Sequence, residues 1–260
     1  MEQVDAAVPQ RVTLAGDLAG VVLAAGAGTR LRPLTLLRPK ALCPVGNVTL
    51  LDRALDRLWP VVDSVAVNVS HGRDQLERHL AGRDVHVSIE HPSPLETAGA
   101  LGKLRSWIAG RDVLVLNADV YHPQDLSLLV DGWDHQRVRL LGVADVARAD
   151  FDGYRYCGAA LLPWAVVGGL PAERHGLYRA VLAPHHSAGR LDLVASDVPY
   201  FDCGAHAEYL DANLAASGGV SVIGDGAVVD GEVVRSVIWP GAHVAAHERL
   251  SEAIRASDRV

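Results

Sequence analysis

The sequence predicts an α/β sandwich, with helices on both faces of a mostly parallel sheet. Three observations predict it. Short apolar runs alternate along the chain with segments of helical periodicity. The runs Gly20–Ala25 and Val113–Leu116 are apolar throughout, as strands buried on both faces are. The chain has 260 residues and is 49% apolar, enough for one large domain with a full core and too apolar for disorder.

Residues 1–18 read as a leader, 19–217 as the main domain and 218–260 as a distinct tail. After the strand at Gly20–Ala25, Leu50, Leu51, Ala54, Leu55 and Leu58 share one helical face. Ser64–Val69 alternates as a strand, Leu76 and Leu80 mark a polar helix, and Val85–Ile89 is a strand. Ala98, Leu101, Leu104, Trp107 and Ile108 recur at helical spacing, and Val113–Leu116 follows as a strand ending in Asn117-Ala-Asp119. Further strands are predicted near Arg137–Val143, Tyr156–Leu162 and Leu191–Ser196, and helices over Leu177–Leu182 and Ala205–Ala216. The tail is rich in Val and Gly. Ile223 and Val229 lie six apart, as do Ile238 and Val244, and the pairs are offset by fifteen. This pattern predicts about two irregular rungs of a left-handed β-helix-like segment. Val-rich hairpins would leave a similar trace.

Charge and composition exclude several classes. Acidic residues number 31 against 24 basic, a net charge of −7, which argues against nucleic acid or an anionic membrane as partner. No apolar run approaches the roughly 18–20 residues that span a bilayer. Glu2, Asp5 and Asp17 stand where a secretory signal would be basic, then apolar. Cys43, Cys157 and Cys203 are odd in number and form no Cys-x-x-Cys pair, so a cytoplasmic protein is expected. Twelve histidines include no His-x-x-x-His with a third ligand, and no Gly-x-Ser-x-Gly elbow occurs. The basic residues are 22 Arg and only two Lys, Lys40 and Lys103. A lysine kept against that background suits a place that needs a compact point charge; Lys103 reads as a solvated helix charge.

The first apolar strand runs into a loop of small residues. Gly26 and Gly28 lack Cβ, so backbone N–H groups there can approach an anion, and a helical turn behind the loop would add its positive end. A dinucleotide fingerprint would need a third Gly where Leu31 stands, and no Walker A closure follows. Arg30, Arg32, Arg38 and Lys40 cluster just after the loop, the compensation a triphosphate needs. A tight structural turn with surface arginines would look the same.

Leu23-Ala-Ala-Gly-Ala-Gly-Thr-Arg-Leu-Arg-Pro-Leu-Thr35, with Pro39-Lys-Ala-Leu-Cys-Pro-Val-Gly46, resembles the opening of the sugar-1-phosphate nucleotidyltransferases, the nucleotide-sugar pyrophosphorylases. The likeness continues in order. Pro94-Leu-Glu-Thr-Ala-Gly-Ala-Leu101 resembles the second nucleotide-contacting segment, and Val115-Leu-Asn-Ala-Asp119 the strand ending in a metal-binding aspartate. Tyr156-Cys-Gly-Ala-Ala160 resembles the sugar-site strand, and Phe201-Asp-Cys-Gly-Ala-His-Ala-Glu-Tyr-Leu210 the last motif. Together these span roughly residues 20–215.

The resemblance implies a Rossmann-like three-layer fold and one reaction. A sugar-1-phosphate oxygen attacks the α-phosphorus of an NTP and pyrophosphate leaves in line. It implies Mg²⁺ held by Asp119 and Asp202. Arg30 would grip the β- and γ-phosphates, and Lys40 the sugar phosphate or the α-phosphate. Leu23, Ala25, Gly26, Gly28, Thr29, Thr97, Gly99 and Asn117 would meet the nucleotide, and Arg155 and Gly158 the sugar phosphate. A carboxylate at Glu90 or Glu96 could accept from guanine N1–H and N2–H₂. That would favour GTP, and because the β-rung tail resembles the mannose-1-phosphate guanylyltransferases, GTP with mannose 1-phosphate is the first expectation. Another NTP, UTP included, with an amino sugar, heptose or cyclitol phosphate is the alternative. A non-catalytic nucleotide-sugar sensor is the reading from another class. Departures are visible too. Ala149–Arg155 lacks the lysine that many relatives carry before the sugar strand, leaving Arg155 to substitute, and Cys203, Ala205 and His206 replace the usual residues of the last motif. Exposed rungs in the tail predict a homodimer.

Overall fold

Alternate side chains of the buried runs enter two separate cores, and this sets the layers. In the computed structural model, which describes residues 18–257, β1 (Leu18–Leu23) sends Val22 to one face of the sheet and Val21 to the other. Leu18, the last residue of the expected leader, opens β1, and the rest of that segment, residues 1–17, lies outside the described residues. β2 (Pro44–Val45) and β3 (Val48–Thr49) make a small antiparallel ladder of their own. The sheet continues through β4 (Ser64–Val69), β5 (Val85–Ile89) and β6 (Asp112–Asn117). Past the short β7 (Val120–Tyr121) come β8 (Val138–Ala144), β9 (Tyr154–Leu162) and β10 (Leu191–Ser196). The order is β10-β8-β9-β6-β1-β4-β5. All neighbours are parallel except β9, which runs antiparallel to both β6 and β8.

After the short α1 (Leu34–Leu37), one helical layer holds α2 (Leu50–Leu58), α3 (Arg73–Leu80) and α5 (Ser127–Val130), whose Leu55, Leu76 and Leu129 pack with Val22 and Leu114. The sequence places α2 correctly because its five apolar residues recur on one face and Thr49 caps it, accepting from Asp52 N at 3.0 Å. The opposite layer holds α4 (Glu96–Ile108) and α6 (Trp164–Val167), whose Leu101, Ile108 and Val167 pack with Val21 and Val115. The helix expected at Leu177–Leu182 is a π-turn over Tyr178–Leu182 that passes into α7 (Ala183–Ser187). Pro184, with no N–H to continue a ladder, sits at the join. Cys43, Cys157 and Cys203 are buried free thiols. Burial pushes the first two up to about 12 and raises the third as well, so they are protonated packing residues. No helix among the described residues is long and apolar enough to cross a membrane.

Past α8 (His206–Ala216) the tail forms short ladders. β12 (Val222–Ile223), β15 (Val237–Ile238) and β18 (Ile254–Arg255) make one. β13 (Val228–Val229) pairs with β16 (His243–Val244), and β14 (Glu232–Val234) with β17 (Arg249–Ser251). Every one of these pairings is parallel, so the tail ladders are not hairpins. Ile223 faces Ile238 and Val229 faces Val244 in register. The offset of fifteen, which breaks a period of six, is the distance from a strand to its own partner. Val222, Val237, Trp239 and Ala256 enter a third core with Leu31, Leu34, Cys43, Val45 and Tyr209.

Candidate active site

At the end of β1 the chain enters the glycine loop, and Gly28 is there for two reasons. Its φ is +61°, and a Cβ would lie 2.8 Å from Thr35 Cγ2 and 3.0 Å from Lys40 Cβ. A side chain at Gly28 would displace the stem of Lys40. Thr35 Oγ1 closes the loop by donating to Gly28 O at 2.9 Å. Gly26 has open space where its Cβ would be. The helical turn expected behind the loop is a 3-10 turn of three residues, Thr29–Leu31, too short for an appreciable dipole. Positive charge there comes from side chains, and Thr29 and Arg30 are exposed.

Two carboxylates converge on Lys40. Asp119 lies in the turn after β6. Asp202 ends β11 (Phe201–Asp202), which pairs antiparallel with β7 so that Val120 faces Asp202. Cys203 N donates to Asp119 O at 3.0 Å across the same junction. Lys40 Nζ lies 2.8 Å from Asp119 Oδ2 and 3.7 Å from Asp202 Oδ1, and the lysine side chain is only 7% exposed. Arg30 and Arg155 reach Asp202 Oδ2 at 3.8 and 3.7 Å. Arg155 also lies 4.8 Å over the Tyr200 ring, which holds its guanidinium beside Asp202. Three cations thus face two carboxylates, a balance that suits a polyanion. Among the described residues no three His, Cys, Asp or Glu side chains converge. A cation here would have two carboxylates and need its remaining oxygens from substrate and water, a donor set that fits Mg²⁺.

Beside this cluster, at the C-terminal ends of β1, β4 and β6, lies a cavity of about 240 Å³. Leu23, Ala25, Gly26, Asn68, Pro94, Glu96, Thr97, Asn117 and Asp119 line it. This is where an open α/β sheet gathers its site. One wall is fixed by a buried relay. Asn68 Oδ1 accepts from Ala24 N at 2.7 Å, and Asn68 Nδ2 donates to Glu90 Oε1 at 2.8 Å. Glu90 Oε2 accepts from Leu95 N at 2.7 Å. Sequence reasoning misses Asn68, although an amide among the valines of an apolar strand is a signal that could have found it.

Several expected contacts lie elsewhere. Both oxygens of Glu90 are engaged in the relay and the residue is 3% exposed, so it does not face the cavity. Gly99 is buried against the chain after α6. A Cβ there would sit 2.0 Å from Glu173 O, so its missing side chain serves helix packing. Gly158 is also buried, its φ of +73° and close approach to Val120 and Asn117 marking a packing position. Thr97 lines the cavity, but its Oγ1 already accepts from Leu177 N at 2.6 Å. Glu96 lines it too, and its carboxylate pairs with Arg174 at 2.7 Å.

Just past β7, His122 ties its segment to the end of β10 and the loop that leads towards β11. It is 2% exposed, and its Nε2 lies 3.1 Å from Ser196 Oγ and 3.2 Å from Val198 O. Burial, then the nearby Arg57 charge, pushes its imidazole down to about 4. The native state therefore holds it neutral while the unfolded chain protonates near 6.5. Between those values the unfolded state binds more protons, so this contribution is full above 6.5 and is lost as pH falls towards 4. Urea melts should show stability rising from pH 4.5 to 6.5, with a shallower slope in His122→Gln. Equal slopes would remove His122 from the pH response.

Residues 19–151 match the nucleotidyl transferase family. The chain belongs to that family. N-acetylmuramate α-1-phosphate uridylyltransferase of Caulobacter vibrioides is 37% identical over 130 residues, covering 45% of this chain and 54% of that protein. Mannose-1-phosphate guanylyltransferase of Mycobacterium tuberculosis is 32% identical over 116 residues, covering 43% and 32%. The matches thus span about half the length, or less, of these curated relatives. A solved structure from Thermus thermophilus, described as mannose-1-phosphate geranyltransferase, has a TM-score of 0.66 at 20% identity. It covers 92% of this chain and 91% of that one, a likeness of fold. The nucleotidyl transferases share with this chain a mixed, mostly parallel sheet.

Proposed function

We propose that the chain is a sugar-1-phosphate nucleotidyltransferase, joining an NTP to a sugar-1-phosphate and releasing pyrophosphate. The observation that carries this reading is Lys40, a nearly buried ammonium between two carboxylates, one of which, Asp119, lines the cavity of about 240 Å³. Leu23, Ala25, Gly26, Pro94 and Asn117 would seat the nucleoside. Asp119 and Asp202 would hold Mg²⁺, which when bound supplies charge neutralisation on the phosphates. Lys40 would draw the α-phosphate and the attacking sugar phosphate together, and Arg30, 70% exposed at the loop edge, would take the departing pyrophosphate. Arg155, steadied on Tyr200, would take the sugar phosphate in place of the lysine this chain lacks.

The base is read differently from the sequence expectation. GTP rested on a free carboxylate, and both Glu90 and Glu96 are engaged by protein partners. UTP, as in the Caulobacter relative's name, is the reading we favour, with an amino-sugar phosphate as acceptor. We read the tail ladders as a short β-helix-like coil. Exposed Val228, Val229 and Val234 on it would meet a second copy, and a monomeric mass in solution would remove that proposal. Pyrophosphate release with Mg²⁺ across the common NTPs and a panel of sugar-1-phosphates tests the whole. One productive pair is expected, lost in Asp119→Ala and in Asp202→Ala. NTP binding without turnover on any acceptor would favour the sensor.

A further inference from the structure

We infer that Trp239, on the C-terminal tail, is a positioning residue for Lys40, so that the tail belongs to the catalytic machinery. This rests on the reading of Lys40 as the phosphate-holding ammonium. The segment Arg38–Asn47, which carries Lys40, is gripped by the tail and α8 at four points. The Arg38 guanidinium lies 4.5 Å over the Trp239 ring. Trp239 Nε1 donates to Tyr209 Oη at 3.0 Å, and that hydroxyl donates in turn to Pro44 O. Gly46 N donates to Asn213 Oδ1 at 3.0 Å, and Asn47 Nδ2 to Ile223 O at 2.8 Å. Trp239 is 1% exposed and shares its core with Leu31 and Leu34 before Lys40, with Cys43 and Val45 after it, and with Cys203 beside Asp202.

The other flank of Lys40 is held without the tail. The Pro39 ring packs on Gly72, where a Cβ would sit 2.7 Å away, and the stem of Lys40 rests against Gly28. On the remaining side Arg53 of α2 donates to Val45 O at 2.6 and 3.0 Å, and the indole with its hydrogen-bonded tyrosine supplies the contacts nearest Lys40, at Arg38 and Pro44. A large ring with one N–H suits the place, because its face takes Arg38 while its edge orders Tyr209. The lysine must be held to a fraction of an ångström for its charge to act on a transition state, and it lies on a loop whose backing is this tail.

The chain's two lysines make the test direct. Labelling the full chain with ¹³C,¹⁵N-lysine leaves two ε-methylene signals, and Lys103→Arg assigns them. Trp239→Leu should move the Lys40 signal and leave Lys103 in place, with no substrate present. Trp239→Phe, which keeps a ring under Arg38 and removes the N–H, should move it less. Leu250→Ala, which loosens the far cluster around Ile238 and Val244, should not move it. Turnover of Trp239→Leu should fall about 10- to 100-fold with KM for the NTP nearly unchanged. A folded Trp239→Leu with an unmoved Lys40 signal overturns the inference, as does an equal shift in Leu250→Ala. If Trp239→Leu does not fold, an unmoved signal in Trp239→Phe overturns it. A moved signal with undiminished turnover overturns its catalytic half. An inactive wild type would refute the proposed function, while the Lys40 shift would still support the positional contact.

Discussion

Lys40→Met is expected to lower turnover by about 100- to 1000-fold, the usual cost of losing one preorganised charge at a reacting phosphate. The fold should survive. Arg30 and Arg155 still face Asp202 when the ammonium is gone, and Asp119, whose side chain is 45% exposed, is left to water. Lys40→Arg should rescue little. The lysine side chain is 7% exposed and its stem lies against Gly28, which leaves no room for a planar guanidinium. In a chain with 22 arginines and two lysines, failure of arginine here would explain why lysine is kept. Steady-state pyrophosphate release decides it, together with a thermal melt. Near-normal turnover in either variant would remove Lys40 from the mechanism.

Asn68→Ala should be among the most destabilising single changes at the site, by about 3 kcal/mol in urea. It strips the buried Glu90 of its amide partner and leaves Ala24 N without an acceptor, both inside the core. It should also weaken NTP binding, because Ala24 begins the glycine loop and Leu95, at the other end of the relay, begins the opposite wall. Glu90→Ala in the same background should then cost much less than it does alone, since the two residues act as one network. Additive losses in that double-mutant cycle would show the relay to be two independent contacts.

The parts of the fold that a pattern can carry were legible. The face of α2 and the unbroken run of β6 report burial directly, and the structure places both within a residue or two; β4 stands where its alternation predicts a strand, yet it is buried on both faces, Asn68 included. Less legible was anything decided by distant partners. Glu90 and Glu96 look alike as loop carboxylates, and only folding brings Asn68 to one and Arg174 to the other. Gly99 sits in a motif that resembles a nucleotide contact, but the backbone pressing on it comes from residue 173, far along the chain. In the tail the offset of fifteen was visible, and the period of six hid its meaning as the spacing of paired strands. Asp119 and Asp202 could be named from their motifs. That a lysine would stand between them could not, because it depends on the β7–β11 ladder closing.

The place of β9 has a consequence for how the chain comes into being. β9 is made after β8, yet it inserts between β6 and β8, and among the described residues it alone joins β8 and β10 to the rest of the sheet. While the polypeptide is being synthesised, β5, β4, β1 and β6 can pair as soon as Asn117 has emerged, and β6 then presents a bare apolar edge. That edge stays open until Tyr154–Leu162 leaves the ribosome. For that interval the nascent protein carries an unprotected strand that a neighbouring chain could pair with. Asp202 arrives later still, so a polypeptide stalled in this window has the glycine loop and Asp119 in place with half of its acidic pair missing.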